Sequence, residues 1–188
     1  MVEALHSRTM ETPLGAMRLV AGERGVRACD FVDAPDRPAH ALAANIEAAP
    51  PDGPAPATGP SSRGADGPGL DALDQLEHEL AAYFAGTLRE FHVPLDLHGT
   101  IFQRRVWGEL LKIPSGKTIS YATLARRTGD GHAVRAVGGA NGANPVAILV
   151  PCHRVIASDG TLGGYGGGVE RKRWLLRHEG ALGKRLMG

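Results

Sequence analysis

Short apolar runs divided by a glycine turn open the chain. Met17 to Ala21 and Val26 to Val32 each read as a strand, with Gly22-Glu23-Arg24-Gly25 between them, so residues 11–33 predict a β-hairpin. From position 70 the period lengthens. Leu70, Leu73, Leu76, Leu80, Tyr83 and Phe84 share one helical face over 70–85, and Gly86 is a natural stop. Phe91 to Leu97 reads as an extended linker or an edge strand. Thr100-Ile101-Phe102-Gln103 fits a capping box, and Ile101, Phe102, Val106, Trp107, Leu110 and Leu111 continue a helical stripe that Pro114 terminates. Ser120 can cap a short helix, Tyr121 to Arg127, closed by Gly129. A third helix follows over about 133–142, and two short helices around a glycine-containing turn form a helix-turn-helix pattern. Val146 to Val150 reads as a buried strand or extended run, Gly160 to Gly168 as a loop, and Glu170 to His178 as a last helix.

Composition changes this picture in one place. Residues 34–69 hold 10 Ala, 8 Pro and 5 Gly in 36 positions. Such a stretch buries too little apolar surface to offset its ordering entropy, so it reads as a mobile loop or insertion, with a short helix conceivable near Ala39–Ala48. The whole chain, 188 residues with 43% hydrophobic and 22% charged positions, has an ordinary globular balance. Its longest aliphatic run, Val146–Val150, is far too short to cross a bilayer, and the first ten residues lack a secretory apolar core. Two cysteines, Cys29 and Cys152, make no disulfide framework, which points to a reducing cytoplasm.

Charge is unevenly divided. Residues 1–97 carry 7 Lys/Arg against 15 Asp/Glu, a net of −8, whereas residues 98–188 carry 14 against 5, a net of +9. Either the halves attract each other, or the basic half meets a polyanion such as nucleic acid.

The chemistry concentrates in Asn144-Pro145-Val146-Ala147-Ile148-Leu149-Val150-Pro151-Cys152-His153-Arg154-Val155. An apolar run delivers a cysteine behind a proline and ahead of a histidine and an arginine, neighbours that favour a thiolate. The competing reading makes Cys152 a small buried hydrophobe. His178-Glu179 closes the last helix, and a carboxylate fixes the tautomer of a catalytic histidine. Asn144 can stitch the third helix to the cysteine loop, and the glycines around Tyr165 let backbone amides approach a flat ligand. The helix AVRAVGGANG is nearly all small residues, suited either to tight helix packing or to a nucleic-acid groove, with Arg135 as its one long side chain. Gly116-Lys117-Thr118 is no phosphate loop, because the glycine required at 111 is Leu111. Gly163 to Gly168 never satisfies G-x-G-x-x-G, so no nucleotide cofactor is expected.

Together, Ile113-Pro114-Ser115-Gly116-Lys117-Thr118-Ile119-Ser120-Tyr121, Arg135-Ala136-Val137-Gly138, Ala140-Asn141, Asn144-Pro145, Pro151-Cys152-His153-Arg154-Val155, Gly164-Tyr165, Lys172 and Leu175-Leu176-Arg177-His178-Glu179 resemble the methylated-DNA–protein-cysteine methyltransferases, the O6-alkylguanine-DNA alkyltransferases. The resemblance runs from about Gly99 to Gly180, and Thr12-Pro13-Leu14-Gly15 and Tyr83-Phe84-Ala85-Gly86 are similar to the family's N-terminal domain. It implies that Cys152 accepts the alkyl group, that His153 takes its proton through a water, and that Glu179 orients and charge-stabilises His153. Tyr121 would donate to N3 of an extruded guanine. Backbone groups of Cys152, Val155 and Gly166 would bind the base, with Tyr165 as a pocket wall and Lys172 at its rim. Arg135 would fill the gap left in the duplex, and Ala133, Ala136, Gly138, Gly139 and Asn141 would lie along the DNA, in the minor groove. Asn144 would tie that helix to the cysteine loop. Some members bind zinc in the N-terminal domain; here Cys29, His6, His40, His78 and His92 are scattered, so no metal is expected.

The expected fold is an α/β N-terminal domain with a small antiparallel sheet, residues 1–97, and a mainly α, winged-helix-like domain containing the helix-turn-helix, residues 98–188. The expected activity is direct, single-turnover reversal of O6-alkylguanine, with O4-alkylthymine a further candidate substrate, by a monomer acting on double-stranded DNA without a cofactor, a membrane or an obligate protein partner. The rivals are a non-catalytic binder of alkylated DNA and a thiol hydrolase using Cys152, His153 and Glu179.

Overall fold

The computed structural model describes residues 4–34 and 67–182. Three antiparallel strands in the order β1-β2-β3 open it: β1 (His6–Met10), β2 (Met17–Gly22) and β3 (Gly25–Phe31). The anticipated hairpin is β2–β3, joined by Glu23-Arg24, with Gly25 at φ 132°. Its register places Met17 opposite Phe31 and Leu19 opposite Cys29, all buried. Strand β1 was not legible, because HSRTM offers no apolar alternation; it forms by pairing with β2 from His6↔Ala21 to Met10↔Met17.

Helix α1 (Pro68–Phe84) covers the inner face of this sheet. Leu73, Leu76, Leu80 and Tyr83 are its buried stripe, while Leu70 and Phe84 pack at the margin. Pro68 sits at the helix start, where its missing N–H costs nothing. The expected loop therefore ends earlier than 69, and the rest of it, with the helix near 39–48, lies outside the described residues. Gly86 takes φ 77° after the last turn, as a stop should. Within 91–97 the pairing is a single parallel bridge, Val26↔Leu95, not a strand. The carboxylate of Glu79 holds the segment by accepting the backbone N–H groups of His92 (2.8 Å) and Val93 (3.2 Å).

The second half begins at α2 (Ile101–Leu111), whose capping box is complete: the Thr100 hydroxyl accepts from Gln103 N and the Gln103 side chain accepts from Thr100 N. Only Val106, Trp107 and Leu110 of its stripe are buried; Ile101 and Leu111 are exposed. Strand β4 (Ile119–Ser120) leads into α3 (Tyr121–Arg127), capped by Ser120 Oγ accepting from Thr123 N (3.1 Å). Residues 128–133 turn the chain, with Gly129 at φ 99°, into α4 (Val134–Gly142). Trp107 Nε1 donates to the Ala140 carbonyl (2.8 Å) and fixes α4 against α2.

Residues 146–150 do not form the expected strand. Val146 makes one parallel bridge to Cys29, and the chain then coils, with Val150 N donating to Val146 O and Ile148 at φ 72°. The reason is Asn144: its Oδ1 accepts from Val146 N (3.0 Å) and its Nδ2 donates to Val150 O (2.8 Å), closing the run into a turn. A 3₁₀ turn (Cys152–Arg154) follows, then β5 (Val155–Ile156), paired in parallel with β4, and finally α5 (Val169–His178). Among the described residues no helix is long and apolar enough to cross a membrane.

The two halves share one core. Cys29 N donates to Pro145 O (3.0 Å) and Ala147 N to Cys29 O (2.6 Å), so β3 seats the turn that precedes Cys152. Arg171 of α5 bonds the Leu14 carbonyl (2.8 Å), pairs with Asp33 and stacks over Phe31, 4.3 Å from its centroid.

Candidate active site

A cavity of about 340 Å³ opens between α4 and the glycine loop. Tyr121, Asn141, Asn144, Cys152, Tyr165 and Gly166 line it, and Gly138, Gly139 and Gly142 of α4 form part of its wall. Cys152 is 6% exposed, so its sulfur is reached through this cavity. Asn144 Nδ2 donates to Cys152 Sγ at 3.1 Å while also holding the Val150 carbonyl. One amide thus sets both the turn and the position of the Cys152 sulfur.

His153 is fully buried on the side of the turn away from solvent. Its Nε2 lies 2.9 Å from Glu179 Oε1, so the ionised carboxylate fixes the Nε2–H tautomer and leaves Nδ1 as the basic nitrogen. Among the described residues Nδ1 has no hydrogen-bond partner. Burial pushes the imidazole pKa down, and the Arg154 and Lys172 charges add to that against the opposing pull of Glu179. Its lowered pKa leaves His153 as the neutral imidazole at rest, the form that the expected role of proton acceptor needs.

Glu179, at the C-cap of α5, collects more donors than the sequence implied. Arg154 grips it with both Nε (2.8 Å, to Oε2) and Nη2 (2.9 Å, to Oε1). Tyr83 Oη donates to Oε1 at 2.8 Å from α1, and Gly116 N reaches Oε2 at 3.5 Å. Burial opposes its charge, but the bonds from His153 and Arg154 outweigh that and hold the carboxyl well below the usual range. Arg154 was legible only as a charge beside Cys152; here it serves Glu179. Tyr83 was legible as a core position and as part of the Tyr83-Phe84-Ala85-Gly86 run, but not as a partner of Glu179, from which 96 residues separate it.

Tyr121 starts α3 with its ring at the cavity wall. Burial and the nearby Cys152 raise its pKa, against a hydrogen bond from Asn141, so the hydroxyl keeps its proton and can donate it. Lys172 is not at the rim. It is fully buried, its Nζ donating to the carbonyls of Val155 (2.7 Å) and Gly164 (3.2 Å), which ties the glycine loop to β5. Burial lowers its pKa to about 8, with the charge of Cys152 opposing. Of the Val155 backbone groups expected to bind a base, the carbonyl is thereby engaged by Lys172. Gly163, at φ 65°, would bring a Cβ to 3.5 Å from the Tyr121 ring, so the loop passes close to that wall.

On α4, Arg135, Ala136 and Gly139 are exposed, and Ala133 and Gly138 are half-buried. Asn141 departs from expectation: it is buried, its Nδ2 pointing at the Cys152 carbonyl (3.4 Å), because its position on the helix faces the 3₁₀ turn. Among the described residues no three His, Cys, Asp or Glu side chains gather as a metal site.

Residues 101–181 match the family model of the 6-O-methylguanine DNA methyltransferase DNA binding domain, and residues 5–97 that of its ribonuclease-like domain. A methylated-DNA–protein-cysteine methyltransferase of Mycobacterium bovis is 60% identical over 108 residues, which are 57% of this chain and 63% of that relative. The counterpart from Salmonella typhimurium is 56% identical over the same share of each chain. A crystal structure of Mycobacterium tuberculosis OGT in complex with DNA superposes with a TM-score of 0.74 at 41% identity, covering 94% of this chain and 93% of that one. The two-domain architecture, with its small antiparallel sheet and helical second half, is that of these structures, and the chain belongs to the O6-methylguanine DNA methyltransferase family.

Proposed function

We propose that this protein reverses O6-alkylguanine damage in double-stranded DNA by moving the alkyl group onto Cys152, once per molecule. The observation that carries the reading is a single one. The Cys152 sulfur faces a cavity large enough for a base, one wall of which is the small-residue helix α4. A base inside a duplex cannot reach such a sulfur, so it must be extruded, at a cost of a few kcal/mol. Arg135, exposed on α4, is the side chain that enters the stack in its place. Ala136 and Gly139 are too short for base-specific bonds, so the helix reads shape and backbone with little sequence preference.

The transfer step follows from the side chains. His153 Nδ1 takes the thiol proton through a water, and Glu179, itself held in place by Arg154, stabilises the resulting imidazolium. The sulfur attacks the alkyl carbon in line, forming the S–C bond as the C–O6 bond breaks. Tyr121 donates a hydrogen bond to N3 and stabilises the negative charge on the departing guanine, which takes up a proton from water on release while the imidazolium of His153 gives its proton back to water. Backbone groups of Cys152 and Gly166 hold the base edge and Tyr165 supports its face. The thioether product is stable to water, so the protein does not turn over. The protein acts as a monomer in a reducing cytoplasm, which keeps Cys152 a thiol.

Duplex DNA carrying one O6-methylguanine, mixed in tenfold excess with the protein, tests this. Repair stops at one lesion per protein molecule. Continued turnover would indicate the hydrolase, and binding with no repair the non-catalytic reader. Cys152→Ala binds DNA and repairs nothing.

A further inference from the structure

We propose that Tyr83, carried by the N-terminal domain, is a positioning residue that sets the basicity of His153 by donating its hydroxyl to Glu179. The inference rests on the reading of His153 as the proton acceptor, and deepens it by making the N-terminal domain part of the relay. Glu179 Oε1 accepts three hydrogen bonds, from Tyr83 Oη at 2.8 Å, His153 Nε2 at 2.9 Å and Arg154 Nη2 at 2.9 Å. Tyr83 is 1% exposed and Glu179 7%, so water does not substitute for any of the three. A lone pair engaged by Tyr83 is withdrawn from His153, which makes the carboxylate a weaker stabiliser of the imidazolium and keeps His153 neutral.

Three elements of the second half surround the pair. The 3₁₀ turn contributes Arg154 and Cys152, α5 contributes Lys172 and His178, and the 113–116 loop contributes only backbone, with Gly116 N on Oε2 and the Ile113 carbonyl on Arg154. Among the described residues Tyr83 is the side chain from the N-terminal domain bonded to Glu179. Its own position is fixed twice. His178 Nε2 bonds the Tyr83 carbonyl at 2.6 Å, and the two rings pack edge-on with centroids 5.1 Å apart. The seat also joins the halves, because α1 and α5 come from different domains. Burial and the Glu179 charge hold the phenol far above its ordinary pKa, so it remains a donor at every working pH.

The test is Tyr83→Phe in the full chain, with free O6-benzylguanine as substrate so that DNA binding does not enter. The titration of His153 is read by ¹⁵N NMR of the imidazole, and the transfer rate is followed across pH. Loss of the donor raises the His153 midpoint by about one pH unit, a tenfold change in its proton affinity, and moves the acid limb of the rate profile upward with it. Site-specific 3,5-difluorotyrosine at position 83, a stronger donor of the same shape, moves both in the opposite direction and serves if the Phe variant does not fold. A structural role alone would lower Tm and leave the His153 midpoint where it is; that result overturns the proposal. If wild-type protein takes no benzyl group the repair reading fails, and the NMR titration still decides the role of Tyr83.

Discussion

Cys152, His153 and Glu179 were legible because each is a residue type with a chemical task in a recognisable string. What was not legible is who stabilises whom. Arg154, adjacent to His153 in the chain, turns its guanidinium to Glu179, and Tyr83 reaches the same carboxylate from another domain. Neither contact has a signature in spacing, since the first depends on how α5 packs on the 3₁₀ turn and the second on how it packs on α1. This network makes Glu179→Gln informative. The amide keeps the shape but replaces an acceptor facing Arg154 with a donor, and the rate of transfer falls by about a hundredfold, the usual scale of general-base assistance. DNA affinity stays near that of wild type; an unchanged rate across pH 6–9 would remove Glu179 from the relay. The buried histidine also leaves a mark on stability. Its pKa is lower folded than unfolded, so the unfolded chain binds the proton first as pH falls. The contribution of neutral His153 is complete above the unfolded value of about 6.5 and is lost as pH drops toward the folded value, by at most about 1.4 kcal/mol per pH unit. Glu179 adds a second loss of the same sign below about 4.3, because its folded pKa is also depressed. Urea unfolding between pH 7 and 5 checks this. Stability declines with acid in the wild type and declines less in His153→Gln; equal pH slopes would contradict the assignment.

At the scale of elements, the helices whose caps and stops are written in the sequence form where expected. α3 begins at Tyr121 behind Ser120, and α2 behind Thr100. The turn at 146–150 misled because five apolar residues in a row read the same whether they run straight or coil, and one side chain outside the run, Asn144, decides between them. Helix α4 carries the sharpest predictions at this level. Arg135→Ala slows repair in duplex DNA about ten- to a hundredfold, through loss of the group that replaces the extruded base. Reaction with free O6-benzylguanine, which requires no extrusion, changes little. Equal losses on both substrates would put Arg135 in the chemistry or the fold. Gly139 gives the complementary experiment. A Cβ there meets nothing within 4 Å, so the glycine serves no internal packing. Gly139→Ala raises stability by up to about 1 kcal/mol through helix propensity alone. Gly139→Leu stays folded yet loses duplex repair at least about tenfold, because its bulk stands where α4 must approach the DNA backbone. Wild-type repair by Gly139→Leu would place the DNA elsewhere.

On the scale of the whole molecule, the division into an acidic and a basic half was plain from the charges, and both proposed reasons for it have a place. Asp33 of the first half pairs with Arg171 of the second across the junction, while Arg135 stays exposed on α4. The junction itself was hidden from the sequence. Cys29 and Ala147 meet through backbone atoms, and backbone pairing between distant segments carries no residue code. That junction seats the turn before Cys152 and supplies Tyr83, so the site is a product of both domains. The claim on which the account turns is that the Cys152 sulfur becomes the final resting place of the alkyl group. Protein incubated with one equivalent of duplex O6-methylguanine DNA, digested and measured by peptide mass spectrometry, decides it. The account predicts a methyl group in place of one hydrogen on the peptide containing Cys152, in step with the loss of O6-methylguanine from the DNA. DNA that loses its methyl group while Cys152 remains unmodified would contradict it.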